Sequence, residues 1–197
     1  MNQARTMATL LLIRHGENDS IGKRLTGRLP GVHLNAAGCR HAEQLAEALK
    51  NLPIKAIYSS PLERTMETAE PLAQILNLAV IPRDGLMEIN FGAWQGKTPK
   101  QMARLKLWKT VQESPSQMTF PQGESFPAAQ ERIAAELNAI NASHEEDDLV
   151  ACFSHSDAIK LAVSYFLGLP LDHFQRTSVD PCSLTMIHVP KEGAPHI

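Results

Sequence analysis

The sequence predicts an α/β fold, a three-layer α/β/α sandwich built on a largely parallel sheet. Two observations carry this. Two fully apolar runs, Leu10-Leu11-Leu12-Ile13 and Leu149-Val150-Ala151-Cys152-Phe153, read as strands buried on both faces. Between and after them lie segments whose apolar residues recur at helical spacing. Strand followed by helix, repeated, places helices on both faces of parallel strands.

The elements follow in order. The first strand covers about Thr9 to Arg14 and leads into a loop rich in Gly, Arg and Pro, Gly22 to Gly31. A helix is expected over Ala36 to Lys50, capped by Asn35, with Ala42, Leu45, Ala46 and Leu49 on its buried face. Pro53 separates it from a short strand, Ala56-Ile57-Tyr58. Ser60 to Glu63 fits a capping box with Pro61 at the first helical position. Met66, Ala69, Leu72, Ala73 and Leu76 then supply a buried helical face. Leu78 to Pro82 reads as a strand, Asp84 to Lys97 as a loop, and Lys100 to Val111 as helical. The stretch 111–127, rich in Pro, Ser and Gln from Glu113 on, reads as a surface excursion within a single domain spanning 1–197. A helix from Ala128 to Asn141, the strand Leu149–Phe153, a helix opening at Ser154-His155-Ser156-Asp157, and a last strand Leu184 to Val189 complete the chain.

At 197 residues a single domain with a sizeable core is the default. A net charge of -2 offers no bulk attraction to nucleic acid or a membrane surface, and no apolar run approaches a bilayer span. The first residues lack a secretory pattern, because their apolar run leads straight into Arg14-His15. Cys39, Cys152 and Cys182 are widely spaced, without Cys-x-x-Cys, and read as reduced thiols of a cytoplasmic protein. Oligomeric state leaves no mark in the sequence.

Three strand exits carry polar chemistry: Arg14 and His15, then Arg64 in the first turn after Ser59-Ser60-Pro61, then His155. If the strands are parallel neighbours, two arginines and two histidines converge at one end of the sheet, where open α/β sheets bind ligands. Helix N-termini after Ser60 and Ser156 would point there too and favour an anion. Guanidiniums suit a phosphoryl group, and histidine supplies a nucleophile or an acid/base group. Blander readings stand beside these: Arg14-His15 as a buried structural pair, Arg64 as a surface helix residue, His155 as a cap.

The ordered set Arg14-His15-Gly16-Glu17, Leu25-Thr26-Gly27, His33-Leu34-Asn35, Ser59 to Thr65, Glu88 to Gly96, Gly123-Glu124-Ser125 and Ser154-His155 resembles the histidine phosphatase superfamily, also called phosphoglycerate mutase-like. The resemblance covers nearly the whole chain. It implies His15 as the nucleophile that takes the phosphoryl group, and Arg14, Arg64 and His155 as its phosphate pocket. It implies Glu88 as the acid that protonates the leaving oxygen, with no cofactor and no metal. Asn18, Thr26, Gly27 and Ser156 are expected to add phosphate contacts. Asn18 stands where a threonine is usual, Ile21 where many members have an asparagine, and Ser156 where glycine is common.

The expected activity is a phosphatase acting on small phosphorylated metabolites, with no nucleic-acid or membrane partner. Residues Phe91 to Gly96 resemble the phosphatase branch of the family more than the mutase branch, and the chain lacks the longer insertions typical of mutases, so the resemblance implies a phosphatase ahead of a phosphoglycerate mutase working through the same pocket. A non-catalytic phospho-ligand module is a third class. His33, His41, His144, His173, His188 and His196 read as structural or surface residues, and no zinc-binding spacing occurs. A cysteine-based phosphatase is excluded, because six residues after Cys39, Cys152 and Cys182 stand Leu45, Ala158 and His188 rather than arginine.

Overall fold

The computed structural model describes residues 8–145, 147–188 and 195–197. Val189 and the first seven residues, which figure in the readings above, lie outside them. Among the described residues, one five-stranded sheet organises the protein. Its strands are β1 (Thr9–Arg14), β2 (Ile54–Ser59), β3 (Val80–Pro82), β4 (Leu149–Ser154) and β5 (Leu184–His188), in the order β3-β2-β4-β1-β5. Pairs β1–β4, β2–β4 and β2–β3 are parallel, and β5 joins β1 antiparallel.

Strand alternation sorts the core into two layers. Leu11, Ile13, Ile57, Ala151 and Phe153 pack under helices α1 (Ala36–Leu49) and α2 (Glu63–Leu76). Leu10, Leu12, Tyr58, Val150 and Cys152 turn the other way, into a larger cluster. Helices α5 (Phe126–Asn141) and α6 (Ser156–Phe166) cover that face. The three-layer sandwich expected from the sequence is therefore present.

Asn35 caps α1, its side chain accepting from the Gly38 N–H at 2.8 Å. The expected Ser60–Glu63 capping box does not form. Helix α2 begins at Glu63 behind Leu62, with no side-chain cap, because the Ser60 hydroxyl faces His155 and the Glu63 carboxylate accepts from the Gly31 N–H. The helical region expected near 100–111 is two short helices, α3 (Pro99–Met102) and α4 (Trp108–Glu113).

The stretch 111–127 exposes residues such as Gln112, Glu113, Ser116 and Gln122 but does not lie wholly on the surface. Val111, Met118, Phe120 and Phe126 are buried in the larger core cluster, and Phe126 contacts Phe120 and Phe174 with ring centroids 5.3 and 4.9 Å apart. Its polar composition conceals apolar residues that follow neither period. Helix α5 starts at Phe126, two residues earlier than expected, with Ser125 as its cap. Cys39, Cys152 and Cys182 are free thiols. No helix among the described residues is long and apolar enough to cross a membrane.

Candidate active site

The sheet register brings the strand exits together. β4 lies between β1 and β2, with Arg14 opposite Ser154 and Ser59 opposite Phe153. Two further bonds extend the ladder past the strand ends: His15 N–H donates to Ser154 O at 3.0 Å, and Ser60 N–H to Phe153 O at 2.9 Å. His15, Ser60 and His155 thus sit on adjacent corners of one sheet edge.

There a cavity opens, lined by Arg14, His15, Asn18, Thr26, Gly27, Arg64, Glu88 and Ser156 among others. Eight of the nine site residues expected from the sequence meet on its wall. The ninth, His155, departs from its expected place in the phosphate pocket. It is fully buried and lies beneath the wall, its ring 5.3 Å from that of His15. The reason is that both ring nitrogens are held. Arg64 Nη2 donates to His155 Nδ1 at 3.0 Å, so Nε2 carries the proton and donates to Ser60 Oγ at 2.8 Å.

His15 is 5% exposed. Its Nδ1 lies 2.7 Å from the Gly16 carbonyl, which can only accept, so Nδ1 is protonated and Nε2 keeps its lone pair. The Gly16 N–H is in turn tied to Thr68 Oγ1 at 2.9 Å, which fixes the turn that aims the ring. Burial, with the charges of Arg64 and Arg14, drives the pKa of His15 down to about 3, although the Gly16 bond opposes this. The imidazole is therefore neutral at physiological pH.

Arg14 and Arg64 supply positive charge. Arg14 Nη1 donates to Val179 O at 2.6 Å, and Arg64 Nη2 to Gly27 O at 2.8 Å. Arg14 Nε and Arg64 Nε and Nη1 are buried with no protein acceptor. Burial lowers the pKa of both groups, opposed chiefly by the Glu88 carboxylate, yet guanidiniums stay charged. The donor set suits a tetrahedral anion. Gly27 reaches its place with φ +52, and an added Cβ would lie 2.4 Å from Gln95 Oε1.

Glu88 is 8% exposed, close to the core aromatic rings of Phe91 and Trp94 in sequence. Its Oε1 accepts from the N–H groups of Ile89 and Ala158 at 3.0 and 3.2 Å. Burial, reinforced by the charge of Asp157, raises its pKa to about 7. Asn18 uses its side-chain oxygen to accept from the Ser20 N–H at 3.0 Å, leaving its NH₂ group as a donor.

The wall also includes Ser20, Gly22, Leu25, Phe91 and Asp157, which are not among the residues expected there from the sequence, together with Ile21 and with Arg24, for which the sequence leaves steering of an anion and a solvated loop equally open. Asp157 was within reach, since it follows the expected contact Ser156 in the first turn of α6. The others lie on loops whose path has no local signal. Among the described residues there is no cluster of His, Cys, Asp and Glu able to hold a metal ion.

The model of the histidine phosphatase superfamily (branch 1) matches residues 10–196. The chain belongs to that superfamily. Its relatives include phosphoserine phosphatase 1 of Hydrogenobacter thermophilus, 30% identical over 93% of this chain and 87% of the relative. A probable phosphoglycerate mutase GpmB of Proteus mirabilis is 33% identical, over 92% and 85%. Among solved structures, Bacillus stearothermophilus YhfR superposes with a TM-score of 0.88 at 28% identity, covering 96% and 95% of the two chains.

Proposed function

We propose that the protein is a phosphatase of small phosphomonoesters, working through a phosphohistidine on His15 without a metal ion. The observation that carries this reading is the His15 ring: a neutral imidazole with Nδ1 tied to a carbonyl, on the wall of a cavity that also holds two arginines and a buried carboxyl group. Phosphoryl transfer needs positioning and charge compensation more than covalent work by the protein.

In the first step His15 Nε2 attacks phosphorus. The P–Nε2 bond forms as the P–O bond to the leaving group breaks, and the Glu88 carboxyl proton passes to the departing oxygen. Arg14 and Arg64 meet the charge on the equatorial oxygens, and the Gly16 carbonyl shares the positive charge of the substituted ring through Nδ1–H. In the second step Glu88, now a carboxylate, takes a proton from water. The water oxygen bonds to phosphorus, the P–N bond breaks, and inorganic phosphate leaves. His155 acts from beneath the wall, orienting Arg64 rather than touching the phosphoryl group. Free thiols and the lack of a membrane-crossing helix among the described residues suit the cytoplasmic placement that completes this reading.

The relative named as a mutase supplies the second reading, transfer of the phosphoryl group to another hydroxyl. One experiment separates them. Wild type and His15→Ala are incubated with an aryl phosphate and with 3-phosphoglycerate, and released phosphate, isomerised product and acid-labile protein-bound phosphate are measured. The phosphatase reading expects release by wild type, at least ~10³-fold less by the variant, and bound phosphate on wild type alone. Isomerisation faster than release establishes the mutase. Equal rates in the two proteins remove His15 from the chemistry.

A further inference from the structure

The Gly123-Glu124-Ser125 block takes no part in the mechanism above, yet its Glu124 carboxylate is shared by two arginines, Arg28 and Arg132. Arg132, one and a half turns along α5, grips the Glu124 carboxylate with two bonds, Nε to Oε1 at 2.9 Å and Nη2 to Oε2 at 3.1 Å. A second guanidinium reaches the same carboxylate from the opposite loop, Arg28 Nη2 to Oε1 at 2.9 Å. Glu124 also forms a two-way pair with the main chain of Asn90. Asn90 N–H donates to Oε2 at 2.9 Å, and Glu124 N–H donates to Asn90 O at 2.8 Å.

What these groups hold is the segment that carries Glu88. Arg28 Nε donates to Glu88 O at 2.7 Å, and Arg132 Nη1 donates to Gly85 O at 2.7 Å and Met87 O at 3.0 Å. Residues 85, 87, 88 and 90 are thus pinned from one carboxylate and its two arginines. Arg28 follows Thr26 and Gly27 on the cavity wall, so the network also joins the two loops that face each other across the site. The side chains of Arg28, Glu124 and Arg132 are between 21% and 26% exposed, and bidentate pairs in such partly buried settings hold geometry well.

We propose that Glu124 is a positioning residue for the proton donor: through Arg28 and Arg132 it fixes the main chain at 85–90 and sets the distance from the Glu88 carboxyl to the leaving oxygen. This rests on the reading of Glu88 as the acid. A scaffold that misplaces an acid by about an ångström costs orders of magnitude in rate. The cost falls on substrates that need the proton. An alkyl phosphate expels a poor leaving group and depends on the acid, whereas 2,4-dinitrophenyl phosphate expels a stable anion without one. A merely structural role would lower both rates alike.

The test measures kcat/KM, which reports steps up to formation of the phosphoenzyme, for glycerol 3-phosphate and 2,4-dinitrophenyl phosphate. The enzymes are wild type, Glu88→Gln, Glu124→Gln and Arg28→Gln. General acids contribute ~10²–10⁴-fold, so Glu124→Gln is expected to lose roughly 10–100-fold on the alkyl ester and less than about 3-fold on the dinitrophenyl ester. Arg28→Gln, which leaves the Glu124–Arg132 pair intact, carries the test if Glu124→Gln does not fold, with a smaller loss of the same selectivity. If Glu88→Gln discriminates between the esters while Glu124→Gln and Arg28→Gln lower both equally, the positioning role is overturned and the acid stands. If Glu88→Gln itself does not discriminate, the acid assignment falls and the positioning role falls with it.

Discussion

Replacing Gly27 with alanine tests how closely the wall of the site is fitted to its backbone. Gly27 has φ +52, and holding an L-residue in the left-handed region costs about 1–2 kcal/mol. Its new Cβ would also lie 2.4 Å from Gln95 Oε1 and 2.9 Å from Phe91 Cδ2. Gln95 must move, and its Oε1 then gives up the Arg28 N–H, held at 2.7 Å and worth about 0.5–1.5 kcal/mol. Together these come to about 1.5–3.5 kcal/mol. Gly31 provides the control, since it has φ +71 with no atom within 4 Å of an added Cβ. Gly31→Ala should therefore show the backbone cost alone, about 1–2 kcal/mol. Equilibrium urea denaturation of the three proteins measures both. Equal losses in Gly27→Ala and Gly31→Ala, within about 0.5 kcal/mol, would refute the claim that Gln95 and Phe91 crowd this position.

Two further outcomes follow from burial. Glu88 is raised from 4.5 to about 7, so between those values the unfolded chain gives up a proton that the folded protein keeps. Stability contributed by this group is complete below pH 4.5 and is lost as pH rises towards 7, by up to ~1.4 kcal/mol per pH unit. Glu88→Gln removes that dependence, so its stability relative to wild type should improve between about pH 5 and about pH 7 in paired urea titrations, and a constant difference would contradict a buried acid. Phe126→Ala should cost about 3–5 kcal/mol, as expected for a core aromatic, and a loss under about 1 kcal/mol would return 113–127 to the surface.

The strand exits were legible because apolar strands leave little choice of position. Once Leu10–Ile13 and Leu149–Phe153 are buried, Arg14, His15 and the residues around 155 must emerge at an edge. Arg64 followed from its place one turn after Ser59-Ser60-Pro61. Side chains with competing partners were not legible. Ser60 could cap a helix or accept from a histidine, and only the tertiary arrangement decides between them. His155 carried the right chemistry to the right corner, but its depth depends on Ser60 and Arg64 claiming both ring nitrogens. The network around Glu124 draws on residues 28, 90, 124 and 132, whose separations carry no period. Met118, Phe120 and Phe126 escaped for the same reason, since irregular segments bury apolar groups without rhythm.

The sheet order also bears on biosynthesis. Apart from β3 and β5 at the margins, β1 and β2 share only β4 as a neighbour, and β4 begins at Leu149. A ribosome therefore releases Arg14, His15 and Arg64 long before anything can align them. Until β4 inserts, the nascent β1 presents unpaired edges on both sides, a state prone to association and suited to chaperone binding. Pairings so distant along the chain make folding slow, since the loop between them must close first. A truncated product ending before Leu149 would hold most of the reactive groups and no pocket.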